Sequence, residues 1–192
     1  MKQKQPPVLT VDTIEKELRR SKYKTNYWRV LRSTVSLLIV VAAVAILISS
    51  LMLPVFRMYG SSMTDTLYDG EIVAAVKGSN FVSGDIIAFY YNNEILVKRV
   101  IATAGQWVDI DAEGNVYVDE VMLDEPYVTD KALGDCNITL PYQVPDGRIF
   151  VMGDHRVVSL DSRNTAIGCI AQEQIAGKLV LRVWPFDAFG RI

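Results

Sequence analysis

Two adjacent serines stand in the stretch MYGSSMTDTL, residues 58–67, where they could carry out nucleophilic chemistry. A serine hydroxyl is a weak nucleophile until a neighbouring base removes its proton. Two candidate bases occur further along the chain: Lys98 within the apolar run LVKRV, and His155, the only histidine. The chemistry to consider is therefore attack by a serine that either a lysine or a histidine activates.

Lys98 shares one face of a predicted strand with Leu96 and Val100, because side chains alternate along a strand. Burial among aliphatic side chains disfavours the ammonium form and lowers the pKa of a lysine. A neutral lysine can take the proton of a serine hydroxyl, a variant of the serine–histidine pair. Alternation alone leaves a second interpretation open, in which the lysine extends from a strand edge into solvent.

A Ser–His–Asp triad would have to use His155 and the adjacent Asp154. Neighbouring residues of a strand point to opposite faces, so Asp154 could orient His155 only if both lay in a loop. The triad is therefore the weaker interpretation.

The chain offers no ligand set for a metal, since it has one histidine and no Cys-x-x-Cys pattern. Its two cysteines, Cys136 and Cys169, could form a disulfide in an oxidising compartment, and the sequence leaves their pairing open. No metal and no cofactor are predicted.

An uncharged run of 24 residues, 33–56, precedes the two serines. As a helix it would extend about 36 Å, enough to cross a hydrocarbon core about 30 Å thick. Residues 1–32 hold nine lysines and arginines against three acidic residues, whereas the remainder of the chain is acidic. The positive-inside rule then predicts a single-pass protein of the cell membrane, with a cytoplasmic basic head at 1–32, a transmembrane helix at 33–56 and an extracytoplasmic body at 57–192.

The basic head does not indicate nucleic-acid binding, because it lacks the interleaved aromatic residues and the groove-reading motifs of nucleic-acid-binding proteins. A basic segment followed by an apolar run and an acidic body is typical of a membrane topology signal. The head has mixed helical periodicity over residues 8–31, which predicts an amphipathic helix or a disordered segment.

The body has the period-two alternation of β strands and almost no helical periodicity. We predict a mainly β domain, an antiparallel barrel-like or folded sheet, with a loop and a short helix within residues 160–176. The run at 107–120 has the alternation and the central turn of a hairpin. The predicted strands lie within residues 71–77, 84–91, 94–102, 107–120, 147–154 and 177–186.

Four blocks, YGSSMTDTLYDGE, GDIIAF, VKRVIATAG and GDHRVVSLDSR, resemble in order and spacing the blocks of bacterial type I signal peptidases. The single anchor before them resembles the Gram-positive form, and the resemblance covers about residues 30–185. It implies a membrane-bound serine endopeptidase with a Ser–Lys dyad that removes N-terminal signal peptides from secreted precursors outside the membrane. Its partners would be those signal peptides and membrane lipid, and it would need neither metal nor cofactor.

The resemblance assigns roles to individual residues of these blocks. Ser62, directly before a methionine, matches the nucleophile, and Lys98 matches the general base. Ser159 matches the serine that hydrogen-bonds the lysine ammonium and orients it. Gly60 stands where many relatives have a serine that completes the oxyanion hole, so the hole would rely on backbone N–H groups, those of Ser62, the first candidate, and Gly60.

Two pairs of charged residues in the last block would stabilise the surroundings of the dyad. Asp161 and Arg163 resemble a structural ion pair close to the site. Asp154 and Arg156, the acid and the base that open the block, would hold the same loop.

The substrate would bind close to the membrane surface. Ser62 follows Arg57 by five residues, and five extended residues reach at most about 18 Å. An extended signal peptide would add as a strand beside residues 58–61 and residues 82–87. Shallow pockets for its small side chains would be lined by Met58, Tyr59, Leu96 and Val97.

The chain departs from the family pattern at three places. Asp65 stands where a proline is usual, ATAG retains only Gly105 of the usual Gly-x-Pro-Gly, and His155 replaces an asparagine. A carboxylate of Asp65 close to Lys98 would raise the pKa of the lysine and oppose its role as a base. We therefore expect Asp65 to point away from Lys98 or to be paired.

Three other classes of protein remain as alternatives. A catalytically inactive, membrane-anchored binding module could retain the fold, although Ser62, Lys98 and Ser159 are all present. A self-cleaving regulator with a Ser–Lys pair would need a DNA-binding head and would lack a membrane span. A sortase-like transpeptidase would need a catalytic cysteine with a histidine motif, which neither Cys136 nor Cys169 has.

Overall fold

The computed structural model describes residues 11–78 and 80–192, so the first ten residues of the predicted head lie outside the described part of the chain. The chain divides into a helical unit up to Ser50 and a β unit from Leu51 to Ile192. From Val11 onward the head is helical, which favours the helical form of the prediction for this segment.

Helix α1 extends over Val11–Met52 and contains a stretch, Asn26–Leu47, that is long and apolar enough to cross a membrane. None of that stretch is buried within the structure. The helix ends four residues before the predicted span 33–56 does, so the boundary moves towards the N-terminus. Pro54 disfavours a helical conformation of the residue before it, and Val55 already belongs to a strand.

The β unit is built from short strands that alternate with turns, as the period-two pattern predicts. Every pairing between these strands is antiparallel. The strands of the described residues are β1 (Val55–Arg57), β2 (Ile72–Val76), β3 (Ile86–Tyr91), β4 (Glu94–Thr103), β5 (Trp107–Ile110), β6 (Val116–Val118), β7 (Val121–Met122), β8 (Tyr142–Gln143), β9 (Arg148–Met152), β10 (Ile170–Ala171), β11 (Ile175–Trp184) and β12 (Gly190–Arg191).

The strands form two sheets. The larger has the order β1-β2-β11-β3-β4-β9-β10, with β12 paired to β11, and the smaller has the order β7-β6-β5-β8 and contains the predicted hairpin. Neither order returns to its first strand, so the mainly antiparallel β prediction is confirmed in its folded-sheet form, and the strands of the described residues do not close into a barrel. The short helix predicted within 160–176 is one 3₁₀ turn, Gln172–Gln174, and a second such turn is Phe186–Ala188.

Strand β3 is buried on both faces, because it lies between β11 and β4 in the middle of the larger sheet. Ile86 and Ala88 belong to an apolar cluster on one side, and Ile87 and Phe89 belong to a second cluster on the other. A strand covered on both faces has a continuous apolar sequence, which is why the run IIAF carries no polar residue. The central strands therefore provide a rigid base for β4.

The segment between β1 and β2 carries the two serines and is fixed at several points. The N–H of Met58 donates to the carbonyl oxygen of Glu71 at 2.7 Å and so continues the pairing of β1 with β2. Met63 and Leu67 are buried in the core, and the N–H of Leu67 donates to the carbonyl oxygen of Met63 at 2.8 Å. The backbone is thus anchored on both sides of Ser62.

The first half of β4 has one free edge. Strand β3 pairs with β4 from Glu94 to Arg99, whereas β9 pairs with β4 only from Arg99 onward. Among the described strands, β1 pairs with β2 alone. Two backbone edges, one along β1 and one along residues 94–98, are therefore available to an extended chain.

Candidate active site

Ser62 and Lys98 meet in the structure. Lys98 Nζ lies 2.6 Å from Ser62 Oγ, within hydrogen-bond distance. Ser62 is half-buried, whereas the adjacent Ser61 is exposed. Of the two serines, only Ser62 is therefore brought to the candidate base.

Lys98 is only 4% exposed, so it does not extend into solvent. Burial lowers the pKa of Lys98 to about 8, the charge of Arg163 adds to the lowering, and the carboxylates of Asp161 and Asp154 oppose it. With such a pKa, about one tenth of the lysine is neutral at pH 7. The side chain can therefore accept a proton under ordinary conditions.

Ser159 lies beside the nucleophile segment without a hydrogen bond to the lysine. The side chain is buried, and within the described part of the chain its hydroxyl has no hydrogen-bond partner. It packs against Gly153, where an added Cβ would contact Ser159 Oγ and lie 2.5 Å from the carbonyl oxygen of Ser62. Glycine at position 153 is therefore required by this close approach, and the orienting bond predicted from Ser159 to Lys98 is not formed.

The N–H of Gly60 is already used. It donates to Asp69 Oδ1 at 2.9 Å, and Gly60 adopts the left-handed conformation, with φ 83°, that glycine tolerates best. The N–H of Gly60 is therefore not free to bind an oxyanion, contrary to the prediction for this residue. The N–H of Ser62 remains the first candidate.

The ion pair expected in the last block is present and bidentate. Arg163 Nε lies 2.8 Å from Asp161 Oδ1, and a second guanidinium nitrogen lies 2.8 Å from Oδ2. Asp161 Oδ2 also accepts the N–H of Gly153 at 2.9 Å. Both charged side chains are fully buried, so the pair holds the backbone that packs against Ser62.

Asp154 and Arg156 hold the loop through partners that sequence reasoning missed. Asp154 accepts two hydrogen bonds from Arg99, at 2.8 and 2.6 Å. Arg156 donates to both oxygens of Glu125, at 3.2 and 2.6 Å. All four residues are buried. The burial of Arg99 could have been predicted from its position next to Lys98 in an apolar run. The burial of Glu125 could not, because an acidic residue in a polar stretch is usually exposed.

His155 does not complete a triad with Ser62. Its Nδ1 lies 3.0 Å from Thr64 Oγ1, and its backbone N–H donates to the carbonyl oxygen of Ser62 at 3.1 Å. The neighbouring Asp154 is bound to Arg99 and does not orient the imidazole. Of the two candidate bases, Lys98 is therefore the one that lies within hydrogen-bond distance of the Ser62 hydroxyl.

Asp65 behaves as expected for a residue that must not disturb the lysine. It is exposed, and its Oδ2 accepts a hydrogen bond from Thr129 Oγ1 at 2.5 Å. Its carboxylate is not among the charges that shift the pKa of Lys98. The substitution of the usual proline therefore leaves the base undisturbed.

One cleft, with a volume of about 600 Å³, connects the dyad to the predicted substrate pockets. Its walls are residues 55–59 on one side and residues 94–98 on the other, and Ser62 lies between them. Tyr59 is 75% exposed, whereas Met58 is buried. The lining includes all the predicted pocket residues: Met58, Tyr59, Leu96 and Val97.

The segment 82–87 does not line this cleft, contrary to the prediction for the substrate strand. Ile87 pairs with Lys98 of β4 on one side and with Lys178 of β11 on the other, so its backbone has no free edge. The free edge of residues 94–98 replaces it as the second wall.

The two cysteines are unpaired thiols. Cys169 is buried, and burial raises the pKa of its thiol to about 11. Within residues 11–78 and 80–192, no group of histidine, cysteine, aspartate and glutamate side chains is arranged to hold a metal ion.

Residues 31–184 match the sequence profile of a family described as signal peptidase, peptidase S26. Signal peptidase I of Bacillus amyloliquefaciens is 33% identical over 188 residues, which cover 91% of this chain and 93% of that protein. Signal peptidase IB of Staphylococcus aureus is 37% identical over 155 residues, which cover 70% and 79%. A crystal structure of signal peptidase I from Enterococcus faecalis, 30% identical, covers 52% of this chain and 96% of its own, with a TM-score of 0.43.

Proposed function

Because the chain belongs to the peptidase S26 family of signal peptidases, which are serine endopeptidases, we propose that it removes N-terminal signal peptides from secreted precursors with a Ser62–Lys98 dyad. The observation that carries the proposal is the 2.6 Å contact between Ser62 Oγ and the Nζ of a buried lysine. A base that is partly neutral near pH 7 is matched to its task.

The reaction would proceed in two steps through an acyl-enzyme. Neutral Lys98 takes the proton of Ser62 Oγ while that oxygen attacks the carbonyl carbon of the scissile bond. Backbone N–H groups, that of Ser62 first, hold the negative charge on the carbonyl oxygen. The lysine ammonium protonates the leaving amine as the peptide bond breaks. Neutral lysine then activates a water molecule, which hydrolyses the ester, and Ser62 regains its proton.

The signal peptide would bind in extended form between the two walls of the cleft. The free edge of β1 and that of residues 94–98 offer main-chain hydrogen bonds that do not depend on the side chains of the substrate. Met58 and Val97 are buried, and their small exposed surface in the cleft supports shallow recesses beside the dyad. Such recesses accept small side chains and reject large ones by steric clash.

We also propose that the chain is a single-pass protein of the cell membrane. Asn26–Leu47 would lie among membrane lipids, the basic head in the cytoplasm and the β unit outside. The excess of lysine and arginine before the apolar stretch supports this orientation. A translocated precursor would present its cleavage site on the same side as the dyad.

The test is cleavage of a secreted precursor by the full-length chain in detergent. The wild type is expected to release the signal peptide, and Ser62→Ala is expected to lose at least about 10³-fold in kcat, since the nucleophile is gone. Ser61→Ala is the matched control, because it removes the neighbouring hydroxyl, which is exposed, and should leave cleavage unchanged. Wild-type rates in Ser62→Ala would rule out the dyad. Binding of the precursor without cleavage would instead indicate the inactive binding module.

A further inference from the structure

His155 contacts the nucleophile segment through both its backbone and its side chain. Its N–H donates to the carbonyl oxygen of Ser62 at 3.1 Å, and its Nδ1 lies 3.0 Å from Thr64 Oγ1 and 3.3 Å from the carbonyl oxygen of Ser61. We propose that His155 is a positioning residue that clamps the backbone on both sides of Ser62 and so directs Ser62 Oγ towards Lys98. This inference rests on the proposed dyad and deepens it.

The hydrogen bonds around the imidazole determine which ring nitrogen carries the proton. Thr64 Oγ1 lies 2.8 Å from the carbonyl oxygen of Ser61, which can only accept, and when the hydroxyl donates to that oxygen it accepts from His155 Nδ1. The carbonyl oxygen of Ser61 is an acceptor as well. An unprotonated Nδ1 would therefore direct its lone pair at two oxygen atoms. The clamp therefore requires the proton of the neutral imidazole on Nδ1 and none on Nε2.

The clamp acts on the two peptide groups that flank the Cα of Ser62. The carbonyl oxygen of Ser61 accepts hydrogen bonds from the hydroxyl of Thr64 and, at 3.2 Å, from its N–H. The carbonyl oxygen of Ser62 accepts the N–H of His155. Two fixed peptide planes determine the direction of the Cα–Cβ bond between them. A displacement of about 1 Å at reacting atoms can cost about 100-fold in rate, so this direction matters for catalysis.

The contacts of His155 fit a positioning residue and not a general base. Nδ1 faces Thr64 and Ser61, while the hydroxyl of Ser62 contacts Lys98 Nζ at 2.6 Å. The imidazole is half-buried and lies outside the residues that line the substrate cleft. Its loss should therefore change the geometry of attack and leave substrate binding intact.

Asparagine, the usual residue of the family pattern at position 155, could form the same clamp. The amide nitrogen of asparagine and Nδ1 of histidine are separated from Cα by the same number of bonds, and both donate a proton. Leucine has nearly the shape of asparagine and no donor. These two substitutions therefore differ in the one property on which the clamp depends.

The kinetic test compares His155→Asn with His155→Leu in the full-length chain in detergent. We expect kcat of the Asn variant to stay within about twofold of wild type and kcat of the Leu variant to fall about tenfold or more, because attack becomes misdirected. KM and the midpoint of the pH profile should be unchanged in both variants, since neither the cleft lining nor the burial of Lys98 is altered. Equal kcat values for the two variants would overturn the proposal.

Thr64 provides a second test, because the side-chain arm of the clamp passes through its hydroxyl. Thr64→Val should lower kcat, and Thr64→Ser, which keeps the hydroxyl, is the matched control. In the double variant Thr64→Val with His155→Leu, kcat should fall no further than in the more impaired single variant, since both substitutions remove the same side-chain arm of the clamp. Losses in kcat whose activation free energies add in full would contradict a shared side-chain arm.

A spectroscopic test does not depend on activity. His155 is the only histidine, so ¹⁵N-labelled histidine yields a single imidazole spectrum. In the neutral imidazole, we expect the proton on Nδ1 in the wild-type chain. A proton on Nε2 would overturn the proposal. Because the spectrum is recorded on the wild-type chain, this test holds even if every variant fails to fold. A proton on Nδ1 together with full activity of Ser62→Ala would refute the proposed dyad and not the clamp.

Discussion

Lys98 and Arg99 are consecutive residues of β4, yet the two faces of this strand hold their charges in different ways. On the cleft face, Lys98 Nζ contacts Ser62 Oγ, and among the described residues no carboxylate forms an ion pair with it. On the opposite face, Arg99 is bound by both oxygens of Asp154 and lies over the ring of Tyr127 at 3.8 Å. One buried cation lacks a counterion, while its neighbour is compensated.

The chemistry of the two side chains explains this difference. Arginine stays protonated in proteins, so its burial requires a carboxylate partner. Arg156 and Arg163 follow the same rule, with Glu125 and Asp161 as their partners. Lysine can lose its proton, so burial without a partner lowers its pKa and produces a fraction of neutral amine that can act as a base. The paired arginines hold the loop in place, and the unpaired lysine is available for chemistry.

Lys98→Arg should place a permanently charged side chain on the cleft face as well, and it should cause the largest loss of kcat. A guanidinium cannot accept the proton of Ser62, so we expect kcat to fall by at least about 10³-fold at every pH up to about 10. Precursor cleavage in detergent measures the loss. Lys178→Arg is the matched control, because Lys178 pairs with Asp85 at 2.6 Å and its side chain is partly exposed. Cleavage that returns at alkaline pH in Lys98→Arg would show that another group is the base.

Asp154→Asn should remove the compensation on the opposite face. Arg99 would remain buried without its counterion, and breaking such a pair costs about 3–5 kcal/mol of unfolding free energy. Urea unfolding followed by tryptophan fluorescence measures this cost. Asp85→Asn, which breaks the partly exposed pair with Lys178, should cost at most about 1 kcal/mol. Equal losses of unfolding free energy in Asp154→Asn and Asp85→Asn would mean that the burial of Arg99 does not determine the cost of breaking its ion pair.

Lys98→Met should have the opposite effect on stability from Asp154→Asn. The pKa of Lys98 falls from 10.5 to about 8 on folding, so burial of the charged form costs about 3 kcal/mol at pH 7. Methionine has a similar length and no charge, and the inactive variant should be more stable than wild type.

The stabilisation in Lys98→Met should depend on pH in one direction. Between about pH 8 and 10.5 the unfolded wild-type chain binds more protons at this residue than the folded chain does, so wild-type stability rises with pH. The advantage of the methionine variant should therefore shrink across this window. An advantage that stays constant with pH would contradict a buried, charged lysine.

The pH dependence of kcat/KM should be the smallest of the expected effects on cleavage, when it is counted per pH unit. Below about pH 8 only a fraction of Lys98 is neutral, so kcat/KM should rise about tenfold per pH unit and level off above that value. Initial rates at low precursor concentration, measured from about pH 6 to pH 10, check the profile. A flat profile would exclude a lysine with a lowered pKa as the base.

Local patterns in the sequence predicted most of the fold and the apolar surroundings of Lys98, whereas Ser62 was selected by the resemblance to signal peptidases. Alternation in LVKRV placed Lys98 on an apolar face, and it is 4% exposed. The alternating residues around the turn at 113–115 predicted the hairpin of β5 and β6, which is present. These features depend on neighbours along the chain, and so they can be recognised without tertiary contacts.

Other features depend on partners that are distant in sequence. The N–H of Gly60 is bound by Asp69 and so is not free for an oxyanion, and Glu125 reaches Arg156 from 31 positions away. The second wall of the cleft is formed by residues 94–98, because β9 begins to pair with β4 only at Arg99. Strand register and long-range pairing decided each of these, and neither follows from hydrophobic periodicity.

The sequence by itself determined which segments become strands, where an apolar run could span a membrane, and which residues have reactive side chains. Only the tertiary structure decided that Ser62 and Lys98, 36 residues apart, lie 2.6 Å from each other and that this lysine, unlike Arg99, forms no ion pair with a carboxylate of residues 11–78 or 80–192. Alternation and hydrophobicity belong to a contiguous chain. The burial, the pairing and the pKa of a group depend on atoms that only folding brings together.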